Sequence, residues 1–304
     1  MEFFSQGLQG LVDGLLTGGV YAMIGAGMSL IFGVLRVVNF GHGDFVILGM
    51  YAAFAANTYL KLDPYVSLLV VLPLAFALGF IVHRLILSRL LGANEQTTKL
   101  ATLGLGLVVT NMILLQFGTE PKTVYTEYAT NSWRLNLGSF ELRISEVRFY
   151  AVLITGAIIL GLNWMLYRTE LGRAIRATAQ NRVGAELQGV DTKRVYAVVY
   201  GIGVLLAAAA GTLLLPLLSA TPTLGSVFTN KSFVVTILGG LGSLPGAIGG
   251  GLILGVVESL GSSLFPLVNS HFGANYRDAY GLIIFLGVLL LRPEGLFGRT
   301  VKRV

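Results

Sequence analysis

The stretch Asn39-Phe-Gly-His-Gly-Asp44 places an amide, an imidazole and a carboxylate at the start of a long apolar run. Groups of this kind could relay a proton, gate a pathway or act as an acid–base pair, because a histidine titrates near neutrality. His42 and Asp44 stand two residues apart, which points them to different sides of a helix and argues against a catalytic pair. A plainer role is equally open: Asn39 or His42 caps the helix that begins here and satisfies backbone groups left free. Glu258 is a second carboxylate inside an apolar run, where an unpaired charge facing lipid would cost about 3 kcal/mol. It must face protein or a cavity, either lining a pathway or hydrogen-bonding a neighbouring helix. With no cysteine, and with His42, His83 and His271 far apart in the chain, neither a metal site nor a cofactor is expected.

The glycine-rich octet Gly239-Gly-Leu-Gly-Ser-Leu-Pro-Gly246 lacks the Gly-Lys-Ser/Thr ending and the flanking soluble strand of a phosphate-binding loop. The chain is therefore not expected to bind ATP itself. A broken helix can expose amides and carbonyls to a cavity, which makes Gly240, Gly242 and Pro245 candidate pathway residues. Flexible packing without solute contact accounts for the same residues.

The loop 168–194 has a different character. Between Thr169 and Gln180, helical spacing puts Arg173, Arg176 and Gln180 on one stripe and Leu171, Ile175, Thr178 and Ala179 on another. Asn181 suits a helix end, and a second short helix from Val183 to Gln188 would stop at Gly189. A folded, basic loop rich in small residues is shaped for docking, with Leu171, Ile175 and Thr178 as an apolar side that no span of the chain covers. An ordinary basic loop lying on the lipid surface is the alternative.

Composition dictates what must position these residues. The 304 residues are 54% hydrophobic and 12% charged, with mean hydropathy +0.77; soluble domains carry about twice that charged fraction. The forty glycines sit within apolar runs, so they signal close helix packing, as in Gly14/Gly18/Ala22, Gly246/Gly250 and Gly251/Gly255. A net charge of +6 without a basic, aromatic-interleaved soluble face excludes nucleic acid as the partner. The residues before the first apolar run have no Lys or Arg, unlike the basic start of a cleavable signal peptide.

Apolar stretches run over 14–35, 37–60, 64–82, 100–119, 149–167 and 195–219, each close to the roughly 20 residues needed to cross the hydrocarbon. The block 232–266 is too long for one straight helix and reads as two arms around the 239–246 break, either crossing twice or re-entrant. A last, short span ends at Leu291, with Arg277 or Asp278 at the membrane boundary. The expected fold is an all-α polytopic transmembrane bundle, one domain over 1–304, with about eight membrane segments. Placing the carboxyl terminus in the cytoplasm puts fourteen of the twenty-one Lys and Arg inside. The loop 168–194 is then cytoplasmic, and the loop 118–148, with Trp133 near its middle, is external.

Four motifs in order carry a resemblance: Asn39 to Asp44, the 239–246 break, Leu171 to Asn181 followed by Ala185 and Gly189, and Leu291-Arg-Pro-Glu-Gly-Leu-Phe-Gly298. Together they resemble the permeases of branched-chain amino acid ABC transporters over nearly the whole chain. Gly41 and Asp44 stand where many relatives have Ala and Glu. Length and the lack of an amino-terminal extension resemble the shorter of the two paired permeases. The resemblance implies a transport subunit of the bacterial inner membrane that carries out no covalent chemistry. It implies four kinds of partner: a second paralogous permease, two cytoplasmic ATP-binding subunits, an external solute-binding protein and the lipid bilayer. It also implies that Glu170, Leu171, Gly172, Arg173, Ala174, Ile175, Arg176, Ala177, Asn181, Ala185 and Gly189 form the ATPase-coupling loop. Its solutes include branched-chain and other neutral amino acids, urea, short amides and aromatic acids. A stand-alone channel or secondary transporter would explain the spans and their buried charges but not the folded basic loop. A membrane-embedded enzyme, using His42 and Asp44, is the third class.

Overall fold

The computed structural model describes residues 2–90, 94–136, 141–268 and 276–298; His271 and the tail cations Arg299, Lys302 and Arg303 lie outside them. The described chain is a helical membrane bundle. In order it contains α1 (Glu2–Leu35), α2 (His42–Leu60), α3 (Leu68–Leu85), α4 (Glu95–Phe117) and the short α5 (Glu127–Thr130). These are followed by α6 (Glu146–Arg168), α7 (Glu170–Gln180), α8 (Arg182–Leu187), α9 (Thr192–Leu214), α10 (Leu224–Gly239), α11 (Leu244–Val268) and α12 (Arg277–Leu291). Six of these helices are long and apolar enough to cross a membrane.

Helices α1, α2, α9 and α10 form the buried centre, while α3, α4 and α6 pack at its margin with apolar side chains facing outward. Glycine explains how the centre closes. Gly14 and Gly18 of α1 lie against the backbone of α11 at Gly255 and Gly251, and Gly251 in turn abuts Ala22. Two small-residue stripes thus bring the helix backbones together, and dispersion between them replaces the hydrophobic effect that lipid cannot supply. Gly49 of α2 meets Ala208 of α9 in the same way.

α10 and α11 are the two arms around the break. Sixteen residues make α10 about 24 Å long, short of the roughly 30 Å hydrocarbon, whereas α11 with 25 residues exceeds it. Gly240 and Gly242 both have positive φ, +93° and +80°, as the sharp reversal needs. The Ser243 hydroxyl accepts from the Gly246 amide at 3.1 Å and starts α11.

Two features go beyond the sequence reading. The first helix begins at Glu2 instead of Gly14, so Asp13 falls inside it and pairs with Arg148 Nη1 at 2.5 Å. The loop 118–148 is not irregular: β1 (Ser132–Asn136) and β2 (Glu141–Ser145) pair antiparallel, with Trp133 opposite Ile144. Gln9 of α1 bonds the Arg143 backbone in both directions, at 2.9 and 2.8 Å, which clips the hairpin to the helix start. Trp133 stacks edge-on against Phe149, with ring centroids 5.0 Å apart.

Candidate functional site

After α1 the chain breaks at Arg36, a non-glycine residue with φ +56°; residues 37–39 have no regular structure, and a turn at 40–41 leads into α2. This break is what puts Asn39, His42 and Asp44 among four helices. The Asn39 side-chain oxygen accepts from the Gly41 amide at 3.2 Å, an Asx-type local bond. His42 is wholly buried and its Nε2 meets the Ile24 carbonyl of α1 at 3.0 Å. Asp44 points elsewhere: Thr110 of α4 donates to its Oδ1 at 2.7 Å, and Gly106 of α4 and Gly225 of α10 leave the space its carboxylate fills. The amides of Phe40 and Gly43 are taken by Thr102 of α4 and Thr229 of α10, at 3.1 and 3.0 Å. The segment is therefore clamped between α4 and α10, and His42 and Asp44 face opposite directions, as their spacing requires.

Gly240, Gly242 and Pro245 stand at the break. Gly242 lies against Gly33 at the end of α1, and Gly240 against Gly298 and the Glu294 carbonyl. The Leu296 amide donates to the Leu238 carbonyl at 2.8 Å. The glycine-rich octet and the Leu291–Gly298 motif, some fifty residues apart in sequence, thus form one packed corner. Pro245 is exposed there.

Glu258 belongs to a charge network that the sequence reading missed. Only 1% exposed, it accepts from Tyr21 Oη of α1 at 3.0 Å and Arg277 Nε of α12 at 3.1 Å, and it pairs with Lys231 Nζ of α10. Lys231 also reaches Asp278 Oδ1 at 2.7 Å and sits 4.9 Å from the Tyr21 ring centroid. Two cations and two anions on three helices, with the Tyr21 hydroxyl joining α1 as the fourth, satisfy the rule that an intramembrane charge is paired. The available signal was Lys231 itself: it borders the 232–266 block, so read as intramembrane it demands a carboxylate partner.

The loop 168–194 is folded as two helices with capped ends. The Thr169 hydroxyl accepts from the Gly172 amide at 3.1 Å, Asn181 Oδ1 accepts from the Gly184 amide at 3.0 Å, and Asp191 Oδ1 accepts from the Arg194 amide at 3.1 Å. Gly189, with φ +82°, ends α8 as expected. The Thr192 hydroxyl and then the Arg182 guanidinium hold the Glu186 carboxyl below the usual carboxylate range.

The expected apolar face is corrected. Ile175 is 2% exposed, and it and Thr178 pack into the chain's own core, because α7 folds back onto α6, α1 and α9. Gly172 lets that happen, sitting against the carbonyls of Met165 and Leu166. Ala174 and Ala185 are turned partly or wholly inward, and Arg176 lies over the Tyr167 ring at 5.1 Å. Outward are Glu170 paired with Arg173 at 3.3 Å, Gln180, Asn181, Arg182 and Glu186, together with Leu171, Ala177, Val183 and Leu187. Leu187 is 81% exposed. Val183 and Leu187, four residues apart on one turn of α8, are exposed apolar side chains the sequence reading did not single out.

A family model described as the branched-chain amino acid transport system permease component matches residues 10–292. The chain is 32% identical over 303 residues to the high-affinity branched-chain amino acid transport system permease protein BraD of Pseudomonas aeruginosa, covering 96% of each. It is 29% identical to the permease protein LivH of the corresponding high-affinity system of Salmonella typhimurium, over 98% of this chain and 97% of that one. A probable branched-chain amino acid transport permease protein of Methanocaldococcus jannaschii is 27% identical over 97% and 93%.

Proposed function

The chain belongs to the branched-chain amino acid transport permease family, and from that premise we propose that it is the membrane-spanning subunit of an ATP-driven importer of branched-chain or related hydrophobic amino acids. Its role is transport, without covalent chemistry of its own. A second permease chain completes the pathway, two cytoplasmic ATP-binding subunits supply the energy, and an external binding protein delivers the solute. The carboxyl terminus and loop 168–194 lie in the cytoplasm.

The observation that carries this reading is the match over residues 10–292 together with a folded loop that exposes Leu171, Ala177, Val183 and Leu187 among its charged side chains. Leu171, Ala177, Val183 and Leu187 would seat in a groove of the ATP-binding subunit, and Ile175 and Thr178, buried against α6 and α9, would carry its movement into the bundle. A rigid lever needs both faces occupied, and α7 has its inner face fixed already. Asn39, His42, Asp44 and Glu258, clamped between helices that such a movement displaces, are the residues where access would change sides.

The test is reconstitution. The permease pair, ATP-binding subunits and binding protein in proteoliposomes should take up radiolabelled leucine, isoleucine or valine only with ATP. Uptake that proceeds without the ATP-binding subunits would instead establish a stand-alone carrier.

A further inference from the structure

A cavity of about 90 Å³ opens beside the Glu258 network, between α10, α11 and α12. One end carries Lys231, Glu258 and Asp278; the remaining walls are largely apolar, with Val227, Val234, Leu254 and Leu282. The volume is about that of three water molecules in the liquid, enough for the head of a small solute. Its outer edge is Leu282, which is exposed and leaves room for a side chain beyond.

The three charges at that end are not equivalent. Lys231 and Glu258 are 11% and 1% exposed, whereas Asp278 is 61% exposed and reaches in from the first turn of α12. Glu258 keeps Tyr21 and Arg277 whatever happens to Asp278. Lys231 keeps Glu258 and the Tyr21 ring. The Lys231–Asp278 bond is therefore the exchangeable one. Opening it leaves Asp278 to water and Lys231 sharing Glu258 with Arg277, so an incoming solute that carries both complementary charges restores the two lost contacts at once.

We infer that this cavity is a subsite for the head group of a zwitterionic α-amino acid, its carboxylate received by Lys231 and its ammonium by Asp278. The inference rests on the amino acid import proposed above and narrows it. Every charge then keeps an opposite partner, so the exchange is electroneutral, and the aliphatic side chain lies along Val234, Leu254 and Leu282. Urea and short amides cannot replace the broken ion pair. A carboxylic acid without an amine replaces only the contact to Lys231, and an amine without a carboxylate only the contact to Asp278; the site discriminates by whether both are restored.

Thermal unfolding of the assembled transporter, without its binding protein, tests this directly. Millimolar leucine should raise the melting temperature of the wild type by several degrees, whereas 4-methylpentanoate and isopentylamine, which each carry half of the head group, should not. Asp278→Asn should abolish the leucine shift and Asp278→Glu should retain it; recovery of both as assembled complexes excludes misfolding as the cause. A leucine shift that survives Asp278→Asn, a wild type that leucine fails to stabilise, or an equal shift from 4-methylpentanoate overturns the subsite. If leucine import with binding protein and ATP is nevertheless normal, the subsite alone is wrong. If the wild type then imports no α-amino acid at all, the transport reading falls with it.

Discussion

Gly18 of α1 lies so close to Gly251 of α11 that a β-carbon on Gly18 would fall 2.9 Å from the Gly251 carbonyl oxygen and 2.9 Å from the Leu252 Cα. Both neighbours are backbone and cannot swing aside. Gly18→Leu should therefore separate the two helices and destabilise the protein by about 1–3 kcal/mol or more, the usual cost of overpacking. Melting of the detergent-solubilised protein should show a clear drop. Gly104→Ala, at a position with no atom within 4 Å of the added carbon, should be neutral.

The proposed orientation rests on the bias of fourteen against seven in Lys and Arg between the two sides. The chain has no cysteine, so single cysteines report cleanly. Tyr125→Cys, in the 118–148 loop and 92% exposed, should react with a membrane-impermeant maleimide in intact cells. Arg182→Cys in α8 should react only after the membrane is opened. The opposite pattern would invert the bundle.

A hydrogen-bond role and a proton-relay role for Asp44 separate on one substitution. The Thr110 hydroxyl donates to Asp44 Oδ1 at 2.7 Å, and an asparagine oxygen could accept the same bond. Asp44→Asn should keep the clamp on α4 and hence transport, with a stability change within about 1 kcal/mol, while Asp44→Leu strands Thr110 and should cost about 1–3 kcal/mol. Uptake rates and melting temperatures of the two variants decide it. Transport lost in Asp44→Asn at normal stability would make the carboxylate's charge functional.

The helices and the loop caps were legible because they depend on local chemistry. Asn181 between two short helices and Gly189 after the second are placed by backbone rules that act within a few residues. Partners across the bundle were not legible. Glu258 stood out in an apolar run, yet Tyr21 lies 237 residues away and Arg277 19 away, and nothing local indicates that α1 and α12 converge there. The α7 face failed for a related reason: periodicity finds a stripe of Leu171, Ile175 and Thr178 but cannot tell an inward face from an outward one. Gly172 decides that, since only a glycine lets α7 turn back against the end of α6.

With Ile175 and Thr178 turned inward, the coupling surface proposed above comes down to Ala177 on α7 with Val183 and Leu187 on α8. Val183 is 64% and Leu187 81% exposed, an apolar pair that the bundle does not cover. If the ATP-binding subunit covers them, burying both supplies about 1.5–3 kcal/mol each at full burial. Leu187→Asp combined with Ala177→Glu should remove that gain and bury unpaired charge. Binding of the ATP-binding subunit should weaken at least a hundredfold, or about 2.7 kcal/mol. Assembly with the second permease and the melting temperature of the permease should stay as they were, because neither side chain packs on the protein's own core. Thr178→Glu, on the buried face, should instead unfold the loop and lower the melting temperature. Co-purification and solute-stimulated ATP hydrolysis distinguish the two outcomes. If the double variant still holds its ATP-binding subunits and transports at the wild-type rate, the docking face lies elsewhere on the chain.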